Sequence, residues 1–480
     1  MRERAEIKPK VFTSSQSPAA KTQLLGAMHA GKGHSQALRA SAAILLVAVA
    51  GVLGLMAAGH HALGPVLVPL LASLAIVLRL QESSRSFAFT AWVLTFVAAS
   101  MVWPQAFGKW FGYDLRALIV PLVQIIMFGM GTKLSGQDFV RVLVMPRPVL
   151  IGVVLHFGVM PLTGYTIARS FGFPAEVAAG VVLIGSVSSG VASNVIVYLA
   201  RGNVALAVTV TACSTLVSPI MTPFLMKMLA ARLVPIDFVT MMIEVFDMVI
   251  VPVCAGLAAH RILYSTRTAM DSSSRLALIG IAAFALAVLA GLLSTRYHGP
   301  LLPLCQGAVI GFVLIGLVTL TKLVVSVWLR GPSDWMDRAL PIISMSGICF
   351  VIAIITARSR DRLLVVGPLL ILAAMLHNAI GYLLGYWLAR VGRLDESACR
   401  TIAVEVGMQN GGMATGLAMS VLQSADAALA PAIFGTWMNI SGSILASWWR
   451  RRPVLADSPA TQDRFHKSPE PQLHSNQTTK

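Results

Sequence analysis

Charge is what this sequence has least of. Only 12% of its 480 residues are Asp, Glu, Lys or Arg. Between its two tails no polar stretch is long enough to make a soluble domain. Acidic residues are the scarcer kind, 20 against 37 Lys and Arg, for a net charge of +17. The basic residues fall in short loops and tails, where they orient helices against the cytoplasmic face, so the positive balance does not indicate nucleic-acid binding. Cysteine is sparse and scattered: Cys213, Cys254, Cys305, Cys349 and Cys399 form no CxxC and no His/Cys cluster, which excludes a disulfide framework or a cysteine metal site. No P-loop is present, which argues against ATP-driven pumping by this chain. His60-His61 has no companion ligands, and no serine has nucleophile-elbow spacing. The chain therefore carries no enzyme signal.

What it has is apolar length. Hydrophobic residues make up 56% of the chain. They recur in runs of about 20, the length that crosses a roughly 30 Å hydrocarbon core. About fourteen runs are expected to be spans: 40–59, 62–80, 87–103, 115–131, 149–169, 176–200 and 204–230, then 238–263, 275–294, 302–329, 339–357, 364–390, 400–423 and 428–449. The tail 1–39 is basic and reads as cytoplasmic. The tail 450–480 is expected to be disordered.

Loop charge predicts the orientation. With the N-terminus inside, Lys133, Arg141 and Arg147, then Arg261, Arg267 and Arg275, then Arg390, Arg393 and Arg400 lie on the inner side with Arg450-Arg451-Arg452. Arg358, Arg360 and Arg362 fall outside and run against the bias. The balance still puts both termini in the cytoplasm of a cell (inner) membrane protein.

Two polar interruptions lie deep inside apolar runs. One is Gly190-Val191-Ala192-Ser193-Asn194. The other is Glu405-Val406-Gly407-Met408-Gln409-Asn410, followed by Gly411-Gly412. Unwound backbone at membrane depth is tolerated only where it is packed in protein or lines a wet cavity. One such break in each half of a chain marks the substrate and ion site of a transporter built from inverted repeats. The halves are expected to be 87–230 and 238–449, five spans each, if 275–329 is an inserted helix pair and 40–80 an N-terminal one. The expected fold is thus an all-α polytopic membrane protein with a 5+5 inverted repeat, two crossing broken helices and two extra helix pairs.

Glu405 is a carboxylate in mid-span, costly unless it faces a cavity or a partner. With Gln409, Asn410 and the carbonyls exposed by glycine-rich unwinding, it makes a hard-cation site suited to Na⁺. Ser193 and Asn194 bring complementary oxygens, with Thr211, Ser214 and Thr215 one helix later. Ser186, Ser188 and Ser189 are equally well read as small-residue contacts. Half-helix N-termini at the crossing can hold an anionic group without a buried Arg or Lys. His156 is open between cation ligand, proton site and packing residue. His377 and Asn378 are similarly ambiguous. Glu244 and Asp247 are accounted for by snorkelling at the start of their span.

These residues resemble the bile acid:sodium symporter family over roughly 87–450, apart from 275–329. The likeness is strongest in Phe128-Gly129-Met130-Gly131, in Ala192-Ser193-Asn194-Val195 with Tyr198-Leu199-Ala200-Arg201-Gly202, and in Glu405 to Asn410. The resemblance implies ten core helices forming a core domain that moves against a panel domain, with two Na⁺ sites behind the crossing. One site would use Ser193, Asn194, Thr211 and Glu405. The other would use Glu405, the carbonyls of Val406 and Met408, and Gln409. Substrate would lie beside the crossing against Gly190, Asn194 and Asn410. His156 stands where bacterial relatives commonly carry a Gln ligand of the second site, and Ala207 where a Ser hydroxyl often assists the first. Protonation of His156 would then make coupling pH-dependent.

The expected function is Na⁺-coupled symport of an organic anion, a bile acid or a small monocarboxylate, by alternating access. A proton-coupled carrier or an exporter is the alternative, with Glu405 and His156 as relay. A membrane sensor that binds an anion without moving it is a third reading. The expected partners are the organic anion, sodium ions and the lipid bilayer. Nothing in the sequence specifies an oligomeric state.

Overall fold

The computed structural model describes residues 63–81, 88–264, 272–297, 299, 302–329, 331 and 335–452. The expected tail 1–39, the span 40–59 and the tail beyond 452 lie outside the described residues. The chain divides after Val102 into two compact units. In the first, α1 (Leu63–Leu80) packs on α2 (Ala88–Val102).

The second unit begins with a hairpin, β1 (Lys109–Trp110) and β2 (Tyr113–Asp114), with Lys109 opposite Asp114. Phe111 and Gly112 turn it with φ of 51° and 85°, the left-handed pair that a two-residue hairpin loop needs. The sequence shows no strand there because two residues are too few to display alternation.

Helices follow without further strands among the described residues: α3 (Ile119–Gly131), α4 (Gly136–Val144), α5 (Pro146–Phe171), α6 (Ala175–Ser186), α7 (Ala192–Leu199) and α8 (Val204–Ala230). Next come α9 (Phe238–Leu263), α10 (Ser273–Arg296), α11 (Leu302–Trp328), α12 (Trp335–Arg358) and α13 (Arg360–Val391). Last are α14 (Glu396–Gly407), α15 (Gly411–Ser420) and α16 (Ala425–Arg450). Among the described residues eight of these, α5, α8 to α13 and α16, are long and apolar enough to cross a membrane; Leu115–Gly131 with α4 would make nine. The other expected runs appear as α1, α2 and the two broken pairs, α6 with α7 and α14 with α15.

Helix α4 was not expected, although its start is written in Ser135-Gly136-Gln137-Asp138. Ser135 and Asp138 form a capping box, with the Ser135 N–H donating to Asp138 Oδ2 at 2.8 Å. Helix α9 contains a π-helical turn, Phe246–Ile250. Helices α10 and α11, the pair expected to be an insertion, pack on each other, and α11 also packs on α9 and α3. Lys322 of α11 donates to the Ile262 carbonyl at 2.8 Å, placing a cation at the C-terminus of α9, where the helix dipole favours it. On α10, Leu278, Ile281, Val288 and Leu292 are exposed, as lipid-facing residues are.

Two of the three arginines that ran against the charge bias are paired. Arg358 binds Asp114, and Arg362 Nε lies 2.9 Å from Asp426. The Arg358 contact, with the Arg116 N–H, holds the Asp114 carboxyl below the usual carboxylate range. The small stability this surface pair adds, under about 1 kcal/mol, is present at neutral pH and lost as pH falls through that lowered value.

Arg400, expected in an inner loop, is instead buried, 3% exposed. Its Nε pairs with Glu396 at 2.8 Å. Its other nitrogens donate to the carbonyls of Ala200, Trp449 and Arg452, tying the ends of α7 and α16 to α14. Arg400→Met is expected to cost about 1–3 kcal/mol, because the carbonyls of Ala200 and Trp449 lose a buried donor. Thermal unfolding in detergent measures it.

Candidate functional site

Both interruptions are where the sequence puts them, and they meet. Helix α6 stops at Ser186 and α7 starts at Ala192; α14 stops at Gly407 and α15 starts at Gly411. Val187 and Met408 take extended backbone angles. The unwound segments then pair antiparallel, Ser189 opposite Gln409. The Gly190 N–H donates to the Met408 carbonyl at 3.1 Å, and the Asn410 N–H to the Ser188 carbonyl at 2.8 Å. Each break supplies partners for backbone groups the other break frees, which is what burial away from water demands. Gly190 is required by this approach: a Cβ there would sit 2.6 Å from the Gln409 carbonyl oxygen.

Glu405, in the last turn of α14 before the break, is completely buried. Its Oε1 accepts from the Ser193 hydroxyl at 2.5 Å. Its Oε2 accepts from Ser189 at 2.7 Å and from Thr211 at 2.8 Å. Three neutral hydroxyls from the first break and α8 thus hold the carboxylate, and among the described residues no basic side chain forms an ion pair with it. Each hydroxyl spends its one proton on Glu405 and keeps lone pairs free. The arrangement is rich in oxygen and short of positive charge.

Two further acceptors reinforce that imbalance. Asn194 Oδ1 and Gln409 Oε1 are buried without a hydrogen-bond partner. The donor set of carboxylate, hydroxyl and amide oxygens fits a small hard cation. The structure brings Ser193 and Thr211 onto Glu405 but records no hydrogen bond between Asn194 and Glu405. The Val406 carbonyl already accepts from Gln409 Nε2 at 2.8 Å. The Met408 carbonyl is engaged by Gly190, and Ser189 Oγ approaches it at 3.3 Å. Asn410 caps α15, accepting from the Met413 N–H at 3.0 Å.

His156 of α5 joins the two breaks from behind. Its Nδ1 lies 3.0 Å from the Glu405 carbonyl and its Nε2 2.8 Å from the Val187 carbonyl. A neutral imidazole has one N–H, so only the doubly protonated ring donates to both. His377 and Asn378 of α13 support the crossing from outside. His377 Nε2 contacts the Met160 carbonyl at 2.9 Å, and Asn378 Nδ2 donates to the Gly407 carbonyl at 2.8 Å, at the end of α14.

Ser189 is the contact that sequence reasoning left undecided. Of three neighbouring serines, Ser186 bonds back to Val182 and Ser188 faces Met413 Sδ, while Ser189 reaches Glu405. Only its place beside Gly190 hinted at that. Asp247 is the correction. It does not snorkel: it is 4% exposed and meets Gln124 of α3.

Comparison with known proteins gives the following. The model of the sodium bile acid symporter family matches residues 120–297. An uncharacterized sodium-dependent transporter, YocS of Bacillus subtilis, is 31% identical over 364 residues, 76% of this chain and 91% of that protein. A probable chloroplastic sodium/metabolite cotransporter, BASS1 of Oryza sativa, is 28% identical, over 77% of this chain and 73% of its own. The human ileal sodium/bile acid cotransporter is 25% identical, over 65% of this chain and 72% of its own. Among solved structures, the sodium proton antiporter MjNhaP1 of Methanocaldococcus jannaschii aligns over 86% of this chain at TM-score 0.49 and 14% identity.

Proposed function

The chain belongs to the sodium bile acid symporter family, and from that premise we propose that it is a symporter moving an organic anion together with Na⁺. Its relatives are named as transporters, and its many apolar helices make it a multi-pass membrane protein. The observation that carries the reading is the grip on Glu405: hydroxyls from the other broken segment and from α8 converge on an unpaired carboxylate. Na⁺ takes lone pairs from Ser193, Ser189 and Thr211 together with a Glu405 oxygen, and the unpartnered Asn194 Oδ1 completes its shell. Gln409 with the Val406 and Met408 carbonyls belongs to a second position. There His156 stands against the Glu405 carbonyl.

Neutralising Glu405 in this way pulls α7 and α14 together and orders the crossing. The anion then binds beside it, against Gly190, Asn194 and Asn410. A coupling of about 1–3 kcal/mol between ion and anion is typical of such linkage. Alternating access follows when one body rocks about the fixed site, with 87–230 and 238–449 as the inverted repeats. The pairing of the two breaks with each other supports that symmetry. Fourteen crossings with both termini in the cytoplasm follow from the balance of loop Lys and Arg, against which Arg358, Arg360 and Arg362 count.

Counterflow in proteoliposomes tests this. A radiolabelled carboxylate, bile acid or monocarboxylate, is expected to exchange only with Na⁺ present. Exchange indifferent to Na⁺ would falsify the coupling. The contacts of His156 with two carbonyls favour the proton-coupled alternative: flux driven by a pH gradient in sodium-free medium would establish it. His156→Gln is expected to flatten the pH profile of uptake; an unchanged profile removes His156 from coupling.

A further inference from the structure

Asp247 takes no part in the crossing. It sits in the π-helical turn of α9, a local distortion that recurs at functional sites. Its Oδ2 accepts from Gln124 Nε2 at 3.0 Å. Gln124 is on α3 and is 1% exposed. Gln124 Oε1 is buried without a hydrogen-bond partner, and Asp247 Oδ1, also buried, meets no side-chain donor, only the backbone of Gly307. Oδ1 lies against Gly307 on helix α11, so close that a Cβ there would be 1.7 Å away.

The pair lacks hydrogen, not oxygen. An ionised carboxylate offers only acceptors and the amide only two N–H donors. A carboxylate inside apolar helices with one side-chain donor and no counter-ion is expensive. One added proton corrects the balance: the acid O–H donates to the amide oxygen while the amide N–H donates to the other carboxyl oxygen, and the orphaned Gln124 oxygen gains a partner. A metal ion fits worse, because only two free oxygens are available and Gly307 closes the remaining side.

The surroundings supply no counter-ion. Helix α3 contributes Gln124 and has no ionisable residue. Helix α11 brings Gly307, with Cys305 nearby and Lys322 four turns away at the end of α9. Helix α15 has no ionisable side chain. Lys227 of α8 acts on Asp237, at the start of α9. Glu244, one turn before Asp247 on the same helix, is a second carboxyl and so no counter-ion.

We propose that Asp247 and Gln124, closed by Gly307 of α11, form a proton-binding site separate from the cation site at Glu405. Helix α11 gives this carboxyl its third wall through Gly307.

Thermal unfolding of the full chain in detergent, from pH 5 to 9 at fixed Na⁺, tests it. A proton held in the folded state and released in the unfolded one stabilises at low pH and is lost as pH rises. The wild-type midpoint is therefore expected to fall with rising pH. Asp247→Asn, an isostere that needs no proton, is expected to remove that slope. If the two proteins show the same slope, the proposal is wrong. If Asp247→Asn does not fold, infrared difference spectra of the wild type and Gln124→Leu decide. A protonated-carboxyl band that shifts in Gln124→Leu supports the pair, and a wild type without one overturns it. A sodium-dependent rise in midpoint that persists in Glu405→Gln but vanishes in Asp247→Asn would assign the site to Na⁺ and overturn the proton.

Discussion

Glu405→Gln is expected to lower sodium-dependent uptake by about 100-fold, toward the upper end of the 1–3 kcal/mol coupling range. Glutamine keeps the shape and an oxygen that accepts from Ser193 or from Ser189 and Thr211, so the protein still folds and inserts. It removes the one negative charge around which three hydroxyls converge. Alanine is the poorer test. It orphans three buried donors at about 1–3 kcal/mol each and confounds transport with stability. Midpoint shifts with added NaCl provide a second readout: at a free Na⁺ concentration c, Na⁺ stabilises the wild type by RT ln(1 + c/Kd) and leaves Glu405→Gln unmoved. Sodium-driven uptake at the wild-type rate in a well-inserted Glu405→Gln protein would dismiss Glu405 as the coupling residue.

Gly190→Ala is expected to abolish uptake altogether. The added Cβ meets the Gln409 carbonyl oxygen at 2.6 Å and its carbon at 3.1 Å. Both are backbone atoms, with no rotamer to yield. The segments must separate, breaking the two bridging hydrogen bonds and leaving buried amide groups bare, at about 1–3 kcal/mol for each. Gly412→Ala is the matched control, since its nearest neighbour would be Asn410 Oδ1 at 3.7 Å, an ordinary contact. That variant should insert and fold as the wild type does. If Gly190→Ala transports normally with Na⁺, the crossing is not the working site.

The elements visible in advance were those set by local chemistry. A span announces itself through unbroken apolar length, and the runs 149–169, 204–230 and 364–390 became α5, α8 and α13 within a few residues at each end. The breaks were visible because Gly, Asn and Glu are out of place in such runs. Partners were not. Arg400 looks like any loop arginine until the ends of α7 and α16 close over it. Asp247 looked like a residue near a helix start, and its burial depends on α3 and α11 arriving from distant parts of the chain.

By itself the sequence settled that this chain lives in a bilayer and that two unwound segments interrupt its helices, because both follow from which side chains tolerate hydrocarbon. Only the tertiary structure decided that those segments lie against each other, and that Ser189, not Ser186 or Ser188, completes the cradle around the acid. Hydrogen bonds between residues more than 200 positions apart are fixed by how helices dock, and no local pattern encodes the docking.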